Sequence, residues 1–197
     1  MTRSDIINLL IGHRQYRSYL EIGVAAQGNL RRVQCEQKLG VDPAVCAPGV
    51  LQMESDSFFA QSTGSFDLIF IDGSHEEAQV DRDVVNSLER LNPEGAIVIH
   101  DCLPPSEWHQ RPVGEFRPGQ DWTGTVWRSV LKYFAVSPWL CYVVDCDWGC
   151  GVIDTRYSAQ AKQLRALPAK LDYERDFRLL REYLRSAAEF LTQFQEP

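Results

Sequence analysis

The chain has 197 residues, a length that suits one domain able to bury roughly 70% of its unfolded surface. Its formal charge of −7 argues against a general nucleic-acid binder, which needs a basic face for phosphates. No apolar run approaches the roughly 20 residues of a membrane span, and residues 1–14 do not have the pattern of a signal peptide. We therefore expect a cytoplasmic protein that binds neither nucleic acid nor membrane.

Strands and helices alternate along the first half of the sequence. Leu68 to Ile71 form an unbroken apolar run, which indicates a strand covered on both faces in the middle of a parallel sheet. Similar short strands are predicted within 18–24, 38–43, 49–60, 66–72 and 96–101, and a hairpin within 140–156. The pattern predicts a Rossmann-like α/β fold with a doubly wound, mostly parallel seven-stranded sheet and a C-terminal antiparallel hairpin.

The whole chain, residues 1–197, is expected to form a single domain. Its core spans about 18–155, preceded by a helix over 2–13 and followed by a long helix over about 172–194. Both terminal helices are amphipathic, so they would allow the chain to form a homo-oligomer.

Polar groups and glycines follow the first three predicted strands. Glu21, Gly23 and Gly28 come at the end of the first strand, where glycines let the backbone approach a ligand. The dinucleotide pattern GxGxxG is absent, which disfavours a pyrophosphate site. Asp42 ends the second strand, where it could hold a ribose or simply form an Asp-Pro turn. Residues 55–56, Ser-Asp, follow the third strand and could contact an adenine or cap a helix.

Acids and histidines follow the fourth and fifth strands. Asp72 and Asp101 end these two strands, so we expect their carboxylates side by side at one edge of the sheet. His75 and His100 flank the pair, and a neutral imidazole can act as a general base near pH 7. We expect Asp72, His75 and His100 to be catalytic, with His75 the better candidate because it lies in a loop.

A long polar loop follows the fifth strand. Loops of this length at an active edge are often lids or binding surfaces. Trp108, His109 and Trp122 lie in it and could line a substrate pocket, since aromatic faces stack on sugars and rings. The alternative is that Trp122 packs against the next helix.

Four longer strings in this order resemble a bacterial group of class I S-adenosylmethionine-dependent methyltransferases. They are FDLIFIDGSH, NSLERLNPEGAIVIHDCLPP, TGTVWRSV and DWGCGVI. The resemblance covers residues 18–155. It implies that Glu21, Gly23 and Gly28 hold the methionine part of S-adenosylmethionine, Asp42 its ribose, and Ser55 and Asp56 its adenine, with Asp72 also at the cofactor.

The resemblance also implies a choice of two routes for activating the acceptor. In metal-dependent relatives such as the catechol O-methyltransferases, acids at the positions of Asp72 and Asp101 bind Mg²⁺. Those enzymes have Asp-Asn after the fifth strand, whereas this chain has Asp101-Cys102, and a thiol is a poor ligand for Mg²⁺. The two alternatives are therefore Mg²⁺ or another divalent cation at Asp72 and Asp101, and His75 as the base.

The sequence thus predicts methyl transfer from S-adenosylmethionine to an oxygen of a small molecule or sugar. Two other readings stay open at this point. One is a catalytically silent binding or assembly protein with the same fold. The other is an NAD-dependent oxidoreductase, which the missing GxGxxG and the terminal hairpin disfavour.

Overall fold

The computed structural model describes residues 1–158 and 166–194, and an eight-stranded sheet lies at its centre. The strands are β1 (Ser18–Ile22), β2 (Gln37–Val41), β3 (Val50–Leu51), β4 (Phe66–Ile71), β5 (Leu91–Ile99), β6 (Trp139–Asp145), β7 (Cys150–Ser158) and β8 (Leu184–Ser186). The helices are α1 (Arg3–Arg14), α2 (Gly28–Arg32), α3 (Ser55–Gln61), α4 (Glu77–Glu89), α5 (Val126–Val136), α6 (Tyr173–Asp176) and α7 (Ala187–Thr192). None of these helices is long and apolar enough to cross a bilayer.

The strand order is β3-β2-β1-β4-β5-β7-β6-β8. Neighbouring strands from β3 to β5 are parallel, and β7 runs antiparallel to β5 and β6. The predicted Rossmann-like class with a closing hairpin is confirmed, although the sheet has eight strands rather than seven. The order reverses beside β1, and in open α/β sheets such a reversal places the ligand crevice outside the carboxyl ends of the strands.

Both faces of the sheet are buried because successive side chains of a strand point to opposite faces. Leu20, Ile69 and Ile97 pack on one face with helices α4 and α5. Tyr19, Leu68 and Val98 pack on the other face, which α1 covers with its apolar side chains. This double cover explains why the strands are continuously apolar in the sequence.

The predicted long helix over 172–194 is wrong. The chain there forms α6, a 3₁₀ segment over Phe177–Tyr183, the short strand β8 and then α7. Ser186 interrupts helix formation because it forms two reciprocal hydrogen bonds with Glu189. The backbone N–H of Glu189 donates to the Ser186 hydroxyl, and the backbone N–H of Ser186 donates to the Glu189 carboxylate. This capping box starts a new helix, and the extended residues before it pair in parallel with β6.

Strand β5 starts at Leu91, five residues before the predicted strand over 96–101, and Asn92 donates to the Asp67 carboxylate across a register shift. Helix α5 starts at Val126. The preceding Gly124 has φ +59 and lies so close to His75 that a Cβ would sit 2.1 Å from its carbonyl oxygen. Residues 121–125 therefore form part of the wall around His75.

Candidate active site

A cleft of about 640 Å³ opens at the carboxyl edge of the parallel strands. Its lining includes residues that follow all five of these strands, namely Gly23, Asp42, Ser55, Asp72, His75 and Asp101. Backbone hydrogen bonds beyond the strand ends hold these segments together, since Asp72 N–H donates to Ile22 and Gly23 N–H donates to Val41. The sheet thus brings side chains together that are far apart in the sequence.

Asp72 lies where several charged groups meet. Its carboxylate accepts from Arg3 at 2.9 Å and lies 3.3 Å from Nδ1 of His100 and 3.6 Å from Nε2 of His75. Burial raises the pKa of Asp72, but contacts with His100 and His75 outweigh it, so the pKa lies well below 3.8. The predicted proximity of Asp72 and the two histidines is confirmed.

His75 lies between the two strand-end carboxylates. Its Nδ1 is buried 3.2 Å from Oδ2 of Asp101, without a hydrogen-bond partner among the described residues, and its Nε2 lies 3.6 Å from Oδ1 of Asp72. The ring stacks on Trp122, with centroids 4.8 Å apart and planes at 13°. Burial lowers the pKa of His75, but the Asp72 contact and the charges of Asp101 and Asp72 raise it above 6.5.

His100 has a different environment, and the expectation that it acts as a base is not supported. It is buried, with its nitrogens 3.3 Å from Asp101 and 3.7 Å from Asp147. Burial lowers its pKa, but contacts with Asp101, Asp147 and Asp72 raise it to about 11. Its Nδ1 also lies 2.9 Å from Nη1 of Arg3, a nitrogen that can only donate, so Nδ1 of His100 is already engaged and is not available to an acceptor hydroxyl.

Two residues of this cluster were missed in the sequence. Arg3, in the first turn of α1, contacts Asp72 and also lies 2.9 Å from Nδ1 of His100. Asp147, in the β6–β7 turn, accepts from the backbone N–H of Arg3 at 2.7 Å. The His100 contact lowers the pKa of Asp147 to about 2. No local pattern could have paired residues 3 and 147, because only the fold brings them together.

Of the three residues predicted to hold the methionine part of the cofactor, only Gly23 lines the cleft. Gly23 lines the cleft with φ +84, and a Cβ there would lie 2.2 Å from the Asp72 carbonyl oxygen. Glu21 is not part of the cleft lining, and its carboxylate accepts from the Tyr19 hydroxyl and the Asn29 amide. Burial raises the pKa of Glu21 to about 7, despite those hydrogen bonds. Gly28 begins α2, also outside the cleft lining.

Asp42 reaches the cleft, but its carboxylate is already engaged. One oxygen accepts from the backbone N–H groups of Val24 and Ala25, and the other from those of Ala44 and Val45, all within 3.1 Å. Burial raises the pKa of Asp42, but these four amides outweigh it and the pKa is lowered. A carboxylate has about four lone-pair positions, so Asp42 primarily braces the turn after β1 rather than offering free oxygens to a ribose.

Ser55 lines the far end of the cleft together with a buried acid of α4. Its hydroxyl donates to Oδ1 of Asp83 at 2.6 Å, and the Gln79 amide donates to the same oxygen at 3.1 Å. Oδ2 of Asp83 is buried without a partner among the described residues. Asp56, predicted beside the adenine, instead points outward and pairs with Arg82. Asp83 is thus a candidate site residue that the sequence did not reveal.

The loop after β5 contributes one of its three predicted substrate residues to the cleft lining. Trp122 lines the cleft, and its indole N–H donates to the Arg111 carbonyl. Trp108 is half exposed outside the lining and packs under the Arg111 guanidinium at 3.7 Å. His109 lies behind Trp148, a cleft residue from the β6–β7 turn, with ring centroids 5.9 Å apart.

Asp72, His75 and Asp101 have the spacing of a metal-binding trio. One ligand atom from each lies within 4.8 Å of the others. One imidazole and two carboxylates suit Mn²⁺ or Zn²⁺ better than Mg²⁺, which prefers oxygen ligands. Cys102 does not add a ligand, because its buried thiol lies 3.2 Å from the Ile99 carbonyl and burial raises its pKa.

Residues 20–102 match the family model described as a methyltransferase domain. This part of the chain therefore carries a methyltransferase domain. The match spans β1 to the residue after Asp101, and so covers the strand ends that line the cleft. No curated protein matches the chain in sequence.

Several solved methyltransferase structures share the fold. The O-methyltransferase TomG from Streptomyces achromogenes, in complex with S-adenosylmethionine, is 15% identical with a TM-score of 0.54, covering 78% of this chain and 79% of its own. A Bacillus cereus O-methyltransferase with S-adenosylhomocysteine is 12% identical, with a TM-score of 0.53 and coverage of 77% and 80%. The methyltransferase MycE of mycinamycin biosynthesis, bound to Mg and S-adenosylhomocysteine, is 17% identical, with a TM-score of 0.50 and coverage of 82% and 50%.

Proposed function

We propose that the protein transfers the methyl group of S-adenosylmethionine to an oxygen of a small molecule or sugar. The observation that carries this proposal is the position of His75, which lines the cleft above the parallel strands with its Nδ1 3.2 Å from Oδ2 of Asp101. Structures of the same fold from Streptomyces achromogenes and Bacillus cereus, which bind S-adenosylmethionine and its product, support the choice of cofactor.

The residues that line the cleft suggest an orientation for the cofactor. The adenine would lie at the Ser55 and Asp83 end, where the buried oxygen of Asp83 can accept from an amino group. The ribose and methionine would pass the tight turn at Gly23, where no side chain blocks the backbone. This places the sulfonium towards Asp72 and His75.

The reaction requires an acceptor hydroxyl in line with the methyl–sulfur bond. As the acceptor oxygen attacks the methyl carbon, the carbon–sulfur bond breaks and its electrons stay on sulfur. The hydroxyl proton passes to Nε2 of His75, while Asp101 stabilises the imidazolium that forms. Most of the acceleration would come from holding the two reacting atoms in line.

The charges of the cluster favour this direction of proton transfer. Asp72, Asp101 and Asp147 supply three negative charges, which outnumber the positive charge of Arg3. With neutral His75 the cluster has an excess of negative charge, which favours a nearby sulfonium. Once His75 takes the proton, this excess becomes smaller as the sulfur loses its charge.

The acceptor would lie between His75 and the aromatic side chains of two loops. Trp122 and Trp148 both line the cleft, and their faces suit a sugar or an aromatic ring. The net charge of −7 favours a small acceptor over a nucleic acid.

Calorimetric titration tests the cofactor first. We expect S-adenosylhomocysteine to bind with a dissociation constant in the micromolar range, about −8 kcal/mol, and NAD not to bind. Binding of NAD alone would overturn the cofactor assignment. If neither binds, a silent protein with this fold becomes the better description.

Variants at the cluster test the chemistry. We expect His75→Ala and Asp72→Asn to lose turnover with an accepted hydroxyl compound while still binding S-adenosylhomocysteine. Wild-type turnover in both variants would remove the proposed roles of these residues.

A further inference from the structure

The guanidinium of Arg3 lies against Asp72, one of the three residues with the spacing of a metal-binding trio. One of its nitrogens, Nη1, lies 2.9 Å from Oδ2 of Asp72 and 2.9 Å from Nδ1 of His100. Its Nε lies 3.3 Å from Oδ2 of Asp147. Arg3 also lines the cleft, with about a third of its side chain exposed. The Arg3 side chain therefore contacts Asp72 from within the cleft.

The backbone of Arg3 is fixed as firmly as its side chain. Its N–H donates to Asp147 at 2.7 Å, which joins the start of α1 to the β6–β7 turn. One turn later, Ile6 and Ile7 are fully buried in the core. Thr2 and Asp5 form a capping box that defines where the helix begins. The position of Arg3 is thus set by the fold and not by a loose N-terminal segment.

A divalent cation and Arg3 would compete for the same carboxylate. The metal trio needs an oxygen of Asp72, and the Arg3 guanidinium lies against that carboxylate. A cation bound there would lie within a few ångströms of a fixed positive charge, in a partly buried site where repulsion is weakly screened. Cys102 also stands where the metal-dependent relatives have an asparagine, so the chain has no amide ligand beside Asp101.

We propose that Arg3 is the built-in counter-ion of Asp72, a positioning residue that replaces a divalent cation and makes methyl transfer by this protein independent of metal. The guanidinium neutralises Asp72 and fixes its orientation towards His75. A metal ion bound to the carboxylate would have the same two effects. The catalytic part of this inference rests on the proposed function, but the effect of Arg3 on metal affinity does not.

Titration of the full-length protein with Mn²⁺ tests the inference without any methyl acceptor. We expect weak binding to the wild type and at least about tenfold tighter binding to Arg3→Gln, because a neighbouring positive charge is removed. Arg3→Lys keeps the charge and should bind Mn²⁺ like the wild type. Adding Asp72→Asn to Arg3→Gln should abolish the gain. Arg17→Gln, an exposed arginine at the opposite edge of the sheet, is the matched control.

Turnover in the presence of chelator gives the second readout. We expect wild-type turnover to change less than about twofold when EDTA replaces Mn²⁺, and Arg3→Gln to lose at least about tenfold in EDTA. Equal Mn²⁺ affinity of the wild type and Arg3→Gln would overturn the inference, as would wild-type turnover that collapses in EDTA and returns with Mn²⁺. Failure of every variant to bind S-adenosylhomocysteine would instead refute the proposed function and leave the Mn²⁺ result standing.

Discussion

Nδ1 of His75 lies 3.2 Å from Oδ2 of Asp101, although the two residues follow different strands. Parallel pairing of β4 with β5 creates this contact, since it puts the ends of both strands at one edge. Asp101 has φ +62, a left-handed conformation that is uncommon for a residue other than glycine. Such conformations concentrate at functional sites, which agrees with a role for this pair in orienting a base.

Removal of the His75 imidazole should reduce turnover much more than cofactor affinity. We expect His75→Ala to lower kcat/KM by roughly 10²- to 10⁴-fold, the usual contribution of a positioned general base. The S-adenosylhomocysteine affinity measured by calorimetry should change little, because the other cleft residues remain. His13→Ala, at an exposed position of α1, is the control. A loss of affinity as large as the loss of turnover would mean that His75 binds cofactor.

The pH dependence of turnover should follow the titration of His75. Its carboxylate neighbours outweigh burial and raise its pKa above 6.5, so the base stays protonated to a higher pH than an unperturbed histidine. We expect kcat/KM to rise as the pH increases through a value above 6.5. The same shift makes the charged imidazole stabilising, and this stability should be lost as the pH rises through the folded-state pKa. A profile that falls over this range would contradict the assignment of His75 as base.

The sequence predicted the edge of the sheet where the site lies because strand-end acids follow a local pattern. FDLIFIDGSH identifies both a strand covered on both faces and the residues that leave it, and parallel strands share one carboxyl edge. Asp72, His75 and Asp101 could therefore be grouped from the order of strands and acids alone. The four longer strings that resemble the methyltransferase family also predicted the order of the elements along the chain.

The contacts that modify this site were not predictable from local pattern. Arg3 resembles an ordinary residue of a first helical turn, and its partner Asp147 is 144 positions away. Asp83 has the sequence context of a charged helix surface, and only the packing of α4 against α3 buries it. Asp42 was expected to bind ribose, but the path of two loops directs four backbone amides to it.

Two glycines near the end of β1 should respond differently to alanine substitution. At Gly23 the backbone has φ +84, and a Cβ would overlap Asp72 and Gly73. We expect Gly23→Ala to lower the free energy of unfolding by about 1–3 kcal/mol and to abolish S-adenosylhomocysteine binding. At Gly28 a Cβ would meet nothing within 4 Å, so Gly28→Ala should keep both properties. Chemical denaturation and calorimetry check the pair, and equal effects would refute this view of the turn.

A buried ion pair outside the cleft should be needed for stability. The Arg14 guanidinium at the end of α1 makes two hydrogen bonds to the Asp154 carboxylate of β7, one of 2.6 Å, and both side chains are buried. Arg14→Met would leave the Asp154 charge unpaired and should lower the free energy of unfolding by about 3–5 kcal/mol. Arg14→Met combined with Asp154→Leu should recover most of this loss in urea denaturation. A single variant as stable as the wild type would contradict the expected cost.

Asp83 should select the cofactor base. Burial raises its pKa despite hydrogen bonds from Ser55 and Gln79, and its free oxygen can accept from the 6-amino group of adenine. Asp83→Asn keeps the shape but can place an amide donor there. We expect it to weaken S-adenosylhomocysteine binding by about tenfold, since a site built for one hydrogen bond rejects a mismatched partner.

The inosine analogue distinguishes base recognition from general damage by Asp83→Asn. S-inosylhomocysteine has a 6-oxo group, which repels a carboxylate but can accept from an amide. Its affinity should therefore rise, or fall much less, in Asp83→Asn, and the preference for adenine should shrink. Asp56→Asn, an exposed neighbour paired with Arg82, should leave both affinities unchanged. If Asp83→Asn weakened the affinity for both ligands equally, Asp83 would only support α3. Direct recognition of the base must instead change the ratio of the two affinities.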